Sequence, residues 1–126
     1  MIVADTHAFL WWLAEDDRLS MKARETMDTN PVRVAAITCF EIVRLVERGR
    51  FRLAVDVRTW LENVFTSPKV ALLAMTMEVA IVAGKLQDPI SDPIDRIIVA
   101  TALLDGVALV TKDHKIIATG IVPTIW

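Results

Sequence analysis

Short runs of aliphatic and β-branched residues alternate along this chain with longer stretches in which apolar positions recur at helical spacing. Ile2–Ala4 reads as a strand and Ala8–Ala14 as a helix. Ser20–Asp28 reads as a second helix with Ser20 at its N-cap, and Asn30-Pro31 turns the chain into a strand over Val32–Ile37. Thr38 opens a helix through Glu47 that Gly49 closes. Asp56 caps a helix running to about Phe65, Val70–Leu73 forms a strand, and Thr76–Lys85 a helix. The polar loop "QDPISDP" leads into the most apolar helix, Ile94–Leu104, stopped by Asp105-Gly106. Val107–Val110 is a strand, Lys112–Ala118 a short helix or turn, and Ile121–Pro123 a last small strand. Strands that alternate with helices predict an α/β fold around a central, mainly parallel sheet. No linker, repeat or low-complexity segment divides residues 1–126, so one domain is expected.

Composition narrows the possibilities. A chain of 126 residues is long enough for one real core, and 54% hydrophobic against 24% charged residues argues against disorder. No apolar run approaches the roughly 18–20 residues that span a bilayer. Asp5 interrupts the first apolar run and no basic region precedes it, so a signal peptide is not expected. Cys39 is the only cysteine, which excludes an intrachain disulfide and a thiolate metal cluster and suits a reducing, cytoplasmic setting. The formal net charge of −2 speaks against a nucleic-acid binder. That objection weakens if four carboxylates gather in one metal pocket, because without them the remainder carries +2.

Functional groups of an open parallel sheet gather outside the carboxyl ends of its strands. Asp5 directly follows the first strand, Glu41 lies one helical turn after the second, and Asp113 follows Val107–Val110 in "LVTKD". Asp95 sits in the first turn of the apolar helix, in "DPIDRIIVATAL". Each has a structural reading beside the functional one. Thr38 and Glu41 have the spacing of a capping box, Asp95 is favoured by the helix dipole, and Asp113 can cap the short helix after it. Asp5, wedged between two apolar segments, is the hardest to explain without a partner. Four acids at one sheet edge repel one another unless a cation sits among them. Carboxylates without His or Cys ligands suit a hard ion such as Mg²⁺ or Mn²⁺, hence metal-assisted phosphoryl chemistry.

Other candidates are weaker. His7 and His114 could cleave RNA by general acid–base catalysis without metal; each follows an element end, where a hydrogen-bonded structural role is expected. Thr6 and Thr111 can hydrogen-bond a neighbouring carboxylate. In "RLVERGRFR", Arg44, Arg48, Arg50 and Arg52 form either a solvated face or a set of phosphate contacts.

The segments "VADTHAFLWWL", "AAITCFEIVRLVERGRFRL", "SDPIDRIIVATALLDGVALVTKDHKI" and "VPTIW" together resemble a PIN domain of the VapC toxin type, in the right order over nearly the whole chain. The resemblance implies a three-layer α/β/α sandwich and a Mg²⁺- or Mn²⁺-dependent endoribonuclease. It places the family's acids on Asp5, Glu41, Asp95 and Asp113, with Asp5 and Asp95 the principal metal ligands. Asp92 lies three residues before Asp95, and register against "RIIVATA" selects Asp95. The resemblance further implies an RNA substrate, a VapB-type antitoxin partner and a homodimer. Two departures stand out: Ala35 and Ala36 where many relatives carry a serine, and Phe40 where tryptophan is frequent. The alternative is a non-catalytic module that binds RNA or protein, which has no need of four carboxylates. A receiver-type phosphotransfer domain is disfavoured, since it wants an acidic pair at the first strand where this chain has Ala4-Asp5.

Overall fold

The computed structural model describes residues 1–87 and 89–126. Five strands, β1 (Ile2–Ala4), β2 (Val32–Ala35), β3 (Val70–Leu73), β4 (Leu109–Val110) and β5 (Thr124–Ile125), form one sheet in the order β3-β2-β1-β4-β5. All four pairings are parallel. Seven helices connect and cover them: α1 (Thr6–Leu13), α2 (Met21–Thr29), α3 (Ala36–Glu47), α4 (Val57–Val64), α5 (Met77–Lys85), α6 (Pro93–Asp105) and α7 (His114–Thr119).

The strand residues alternate between the two faces, as the two-residue period of a strand requires. Ile2, Ala4, Val32, Val34, Val70 and Val110 pack with Phe9 and Leu10 of α1, Ala23 and Met27 of α2 and Ile42 of α3. Val3, Ala35 and Leu109 face the other way, onto Ile98, Val99 and Ala102 of α6 and Ile116 of α7. Helix α5 then packs on α6 through Val79, Ala83 and Ala100. The result is the three-layer α/β/α sandwich, with a fully parallel sheet where a mainly parallel one was expected.

The chain builds β1, β2 and β3 outward in one direction and then crosses back to place β4 on the other side of β1. The switch between β1 and β4 opens a crevice at the carboxyl ends of these two strands, where loops and helix N-termini diverge. Asp5 follows β1 there and Asp113 follows β4, three residues beyond its end.

Several element boundaries differ from the sequence reading. Helix α1 starts at Thr6, not Ala8, because the Asp5 carboxylate accepts the Ala8 N–H at 2.8 Å and caps the helix two residues earlier. Strand β2 stops at Ala35, and α3 starts at Ala36 without a side-chain cap. Thr38 therefore lies inside α3, fully buried, with its hydroxyl 3.1 Å from that of Thr6. The Thr38–Glu41 pair is not a capping box. Strand β4 covers only Leu109–Val110, and the last strand, on its outer side, is Thr124–Ile125, not Ile121–Pro123. Gly120, left-handed at φ 62°, ends α7, and Pro123, with no N–H of its own, serves the sheet only as the acceptor for Leu109 N–H.

The Thr6–Thr38 bond ties the first turn of α1 to the first turn of α3 inside the core. Removing one hydroxyl strands the other, at a cost of about 1–3 kcal/mol, whereas removing both is nearly neutral. Thr38→Val should therefore destabilise by about that amount, and Thr6→Val/Thr38→Val by less than the sum of the single changes, measured by urea denaturation. Strict additivity would show that the two hydroxyls do not depend on each other.

Candidate active site

The crevice at the β1–β4 switch is a cleft of about 590 Å³, lined by acids from four separate parts of the chain. Such a volume lies within the range of small-ligand sites, roughly 300–1,000 Å³. Asp5 enters from the end of β1, Glu41 from the second turn of α3, Asp92 and Asp95 from the start of α6, and Asp113 from the start of α7. Thus all four acids singled out in the sequence share one cavity, joined by Asp92.

Local structure fixes three of the five. Each of Asp5, Asp92 and Asp113 is a helix N-cap. Asp5 Oδ1 accepts from Ala8 N. Asp92 Oδ1 accepts from Ile94 N at 2.8 Å and Asp95 N at 3.2 Å, with Pro93 as the first helical residue. Asp113 Oδ1 accepts from Lys115 N at 2.8 Å, and its own N–H donates to the Thr111 hydroxyl at 3.1 Å. The capping bonds use one carboxylate oxygen, so among the described residues Oδ2 of Asp92 and of Asp113 has no hydrogen-bond partner. Neither Asp95 nor Glu41 makes a side-chain hydrogen bond among those residues.

Charge crowding is strong. Burial pushes the Asp95 carboxyl up to about 7, helped by the negative charges of Asp92, Asp113, Glu41 and Asp5. Burial also raises Asp5, against the opposing effects of the Thr111 hydroxyl, the Ala8 N–H and His7, and Glu41 pushes it further up. Without a cation, the pocket relieves this repulsion by holding a proton near Asp95.

The donor set fits a hard divalent ion: it is rich in carboxylate oxygen and has no thiolate. Among the described residues no three His, Cys, Asp or Glu side chains stand close enough to grip an ion as they are. A loose set of this kind suits an ion such as Mg²⁺, which keeps several waters and takes only one or two carboxylates.

The remaining wall of the cleft consists of Thr6, His7, Trp11, Lys112, His114 and Lys115. Both histidines are exposed and neither side chain makes a hydrogen bond among the described residues, contrary to the structural role expected of them. His7 instead lies against Trp11, with ring centroids 5.8 Å apart. The arginines of "RLVERGRFR" do not line the cleft. All four are exposed, with Arg44 placed 5.7 Å from the centre of the Phe40 ring. The cations at the site are Lys112 and Lys115, which the sequence offered no reason to single out. Their only signal was position, one residue before and two after Asp113.

The PIN domain family model matches residues 2–122 of the chain. A relative from Mycobacterium tuberculosis, "Ribonuclease VapC22", is 38% identical over 117 residues, covering 91% of this chain and 88% of that protein. Among solved structures, VapBC2 from Rickettsia felis bound to a DNA fragment from its promoter matches with a TM-score of 0.71 at 14% identity, covering 98% of this chain and 97% of that one. Mycobacterium tuberculosis VapC20, described as a sarcin–ricin loop cleaving toxin, matches with a TM-score of 0.69 at 18% identity, covering 95% of each chain. At such low identities the two structures speak to the fold. No helix among the described residues is long and apolar enough to cross a membrane.

The crowded acids give stability a definite pH dependence. Asp95 has a native pKa of about 7, above the usual carboxylate value of roughly 4 in an unfolded chain. Between these values the native state binds more protons than the unfolded state, so stability falls as pH rises through that window and levels off above it. In chelator, the urea midpoint should drop between pH 5 and pH 7.5. Asp95→Asn should flatten that slope, and Mg²⁺ should restore stability at pH 7.5. A wild-type midpoint that rises over this range, or a slope that Asp95→Asn leaves intact, contradicts the crowding.

Proposed function

This chain belongs to the PIN domain family, and on that premise we propose that it is a metal-dependent endoribonuclease, the toxin half of a VapBC-type toxin–antitoxin pair. The observation that carries the reading is the meeting of Asp5, Glu41, Asp95 and Asp113 in one cleft, where their charges crowd Asp95. The names of its relatives support it: one 38% identical protein is named a ribonuclease, VapC22, and a fold neighbour, VapC20, is described as a toxin. The partners proposed are an RNA substrate, a VapB-type antitoxin and a second copy of the chain.

Asp5 and Asp95 would be the principal ligands of Mg²⁺ or Mn²⁺, with Asp113 and Glu41 completing the set directly or through water. When bound, the cation would supply Lewis-acid stabilisation of the phosphodiester and lower the pKa of water at the site. The chain's own groups do the rest. Capping bonds hold the Asp5 and Asp113 carboxylates against their helices, so both reach the cleft in a fixed orientation. Glu41, whose carboxylate makes no hydrogen bond among the described residues, is available with Asp113 to orient the attacking water and accept its proton. Lys112 and Lys115 offset the repulsion that five acids exert on a polyanion. Hydrolysis by water breaks the P–O bond without the RNA 2′-hydroxyl and can leave a 5′-phosphate, whereas attack by that hydroxyl leaves a cyclic phosphate.

Purified protein should cut RNA with Mg²⁺ or Mn²⁺, stop on chelation and recover on adding metal back. Asp5→Asn and Asp95→Asn should each lower the rate by roughly 100-fold or more, while retaining the native circular dichroism spectrum. Cyclic phosphate ends, together with full dependence on His7 or His114, would sink the metal route. A protein that binds the antitoxin but cuts no RNA with any divalent metal would be a binding module instead.

A further inference from the structure

We propose that Trp11 is a stacking platform for an unpaired nucleobase at the edge of the acidic cleft, with Lys112 the contact to the adjoining phosphate. The proposal rests on the ribonuclease reading for the identity of the ligand, and on separate residues for its geometry.

Trp11 lies on α1, less than two turns from Asp5, and its partly exposed indole lines the same cleft as the acids. Part of the ring packs against the hydrophobic core, and the part left uncovered lies in the wall of the acidic cleft. Two neighbours brace the ring from outside the cleft. Trp126 meets it edge-on at 6.0 Å and 62°. The Arg18 guanidinium lies 5.1 Å from its centre and is itself fixed by Asp16 through bonds of 3.0 and 2.7 Å. His7 tilts against it at 52°. A braced aromatic ring loses little freedom when a base stacks on it.

Lys112 differs from Arg18. Its ammonium stands 5.8 Å from the indole centre, but it makes no hydrogen bond or ion pair among the described residues. An exposed cation–π contact of this kind is weaker than base–aromatic stacking. A base can therefore displace the ammonium from the ring, and the freed ammonium is then placed for a phosphate oxygen. The acids repel the RNA backbone wherever the cation does not offset them, and contacts at the rim add affinity there. Stacking needs a base out of its helix, which selects single-stranded or looped RNA over duplex.

The test uses the Asp5→Asn protein in Mg²⁺, so that ligands are not cut, with fluorescence anisotropy as readout. The probes are a fluorescein-labelled adenylate decamer, an abasic ribose-phosphate decamer of equal charge, and a ten-pair RNA duplex. The adenylate decamer should bind best. Adding Trp11→Ala should weaken its binding roughly 5- to 100-fold while leaving the abasic decamer unchanged, and Trp11→Phe should retain most of the affinity. A merely structural role for Trp11 predicts equal losses on both decamers. That result, no loss on either, or no preference for adenylate over abasic overturns the proposal. RNA cleavage by the wild-type protein is scored separately: cleavage with a failed stacking test removes only the platform, whereas stacking without cleavage removes only the ribonuclease reading.

Discussion

The fold turns on one carboxylate that is held in place twice. Asp5 directly follows the central strand and caps the helix after it, so strand and helix both determine where its charge sits. Burial opposes that charge, and the neighbouring acids increase the opposition. A protein that needed only the cap would do as well with serine, which carries no charge into a half-buried crevice. Retaining aspartate here makes sense where a cation completes the site.

The same economy recurs around the cleft, and it dissolves a choice that sequence reasoning treats as exclusive. Asp92 and Asp113 cap α6 and α7 and also line the pocket. Capping takes one oxygen and restrains the carboxylate, leaving the other oxygen without a partner among the described residues. For these residues the structural role is the means by which the chemical group is aimed. Glu41 is the exception: its expected capping role disappears because α3 begins two residues before Thr38. Its place in the cleft follows from its position on the helix alone.

Much of this was legible along the chain. The alternation of strands and helices gave the architecture, and the rule of strand carboxyl ends led to Asp5, Glu41 and Asp113. Asp95 came from its helix position. What stayed hidden depends on three-dimensional contact. A buried hydroxyl pair 32 residues apart in sequence pulls Thr38 into a helix interior, and local propensity is blind to it. The last strand was misplaced by three residues because a two-residue parallel strand carries almost no periodic signal, and its register is set by β4. The arginine cluster was conspicuous by composition yet lies away from the cleft, while two unremarkable lysines beside Asp113 line it.

The pairing of β1 with β4 also orders events in time. Val3 and Ala4 meet Leu109 and Val110, each partner 106 residues further along the chain. Parallel pairing over such a distance is slow, since the intervening loop must close before contact is rewarded. During synthesis, Asp5 emerges long before Asp113, so a growing chain lacks the assembled cleft until the segment carrying Asp113 has been made. Whatever chemistry the four acids perform is withheld from the nascent chain by topology alone.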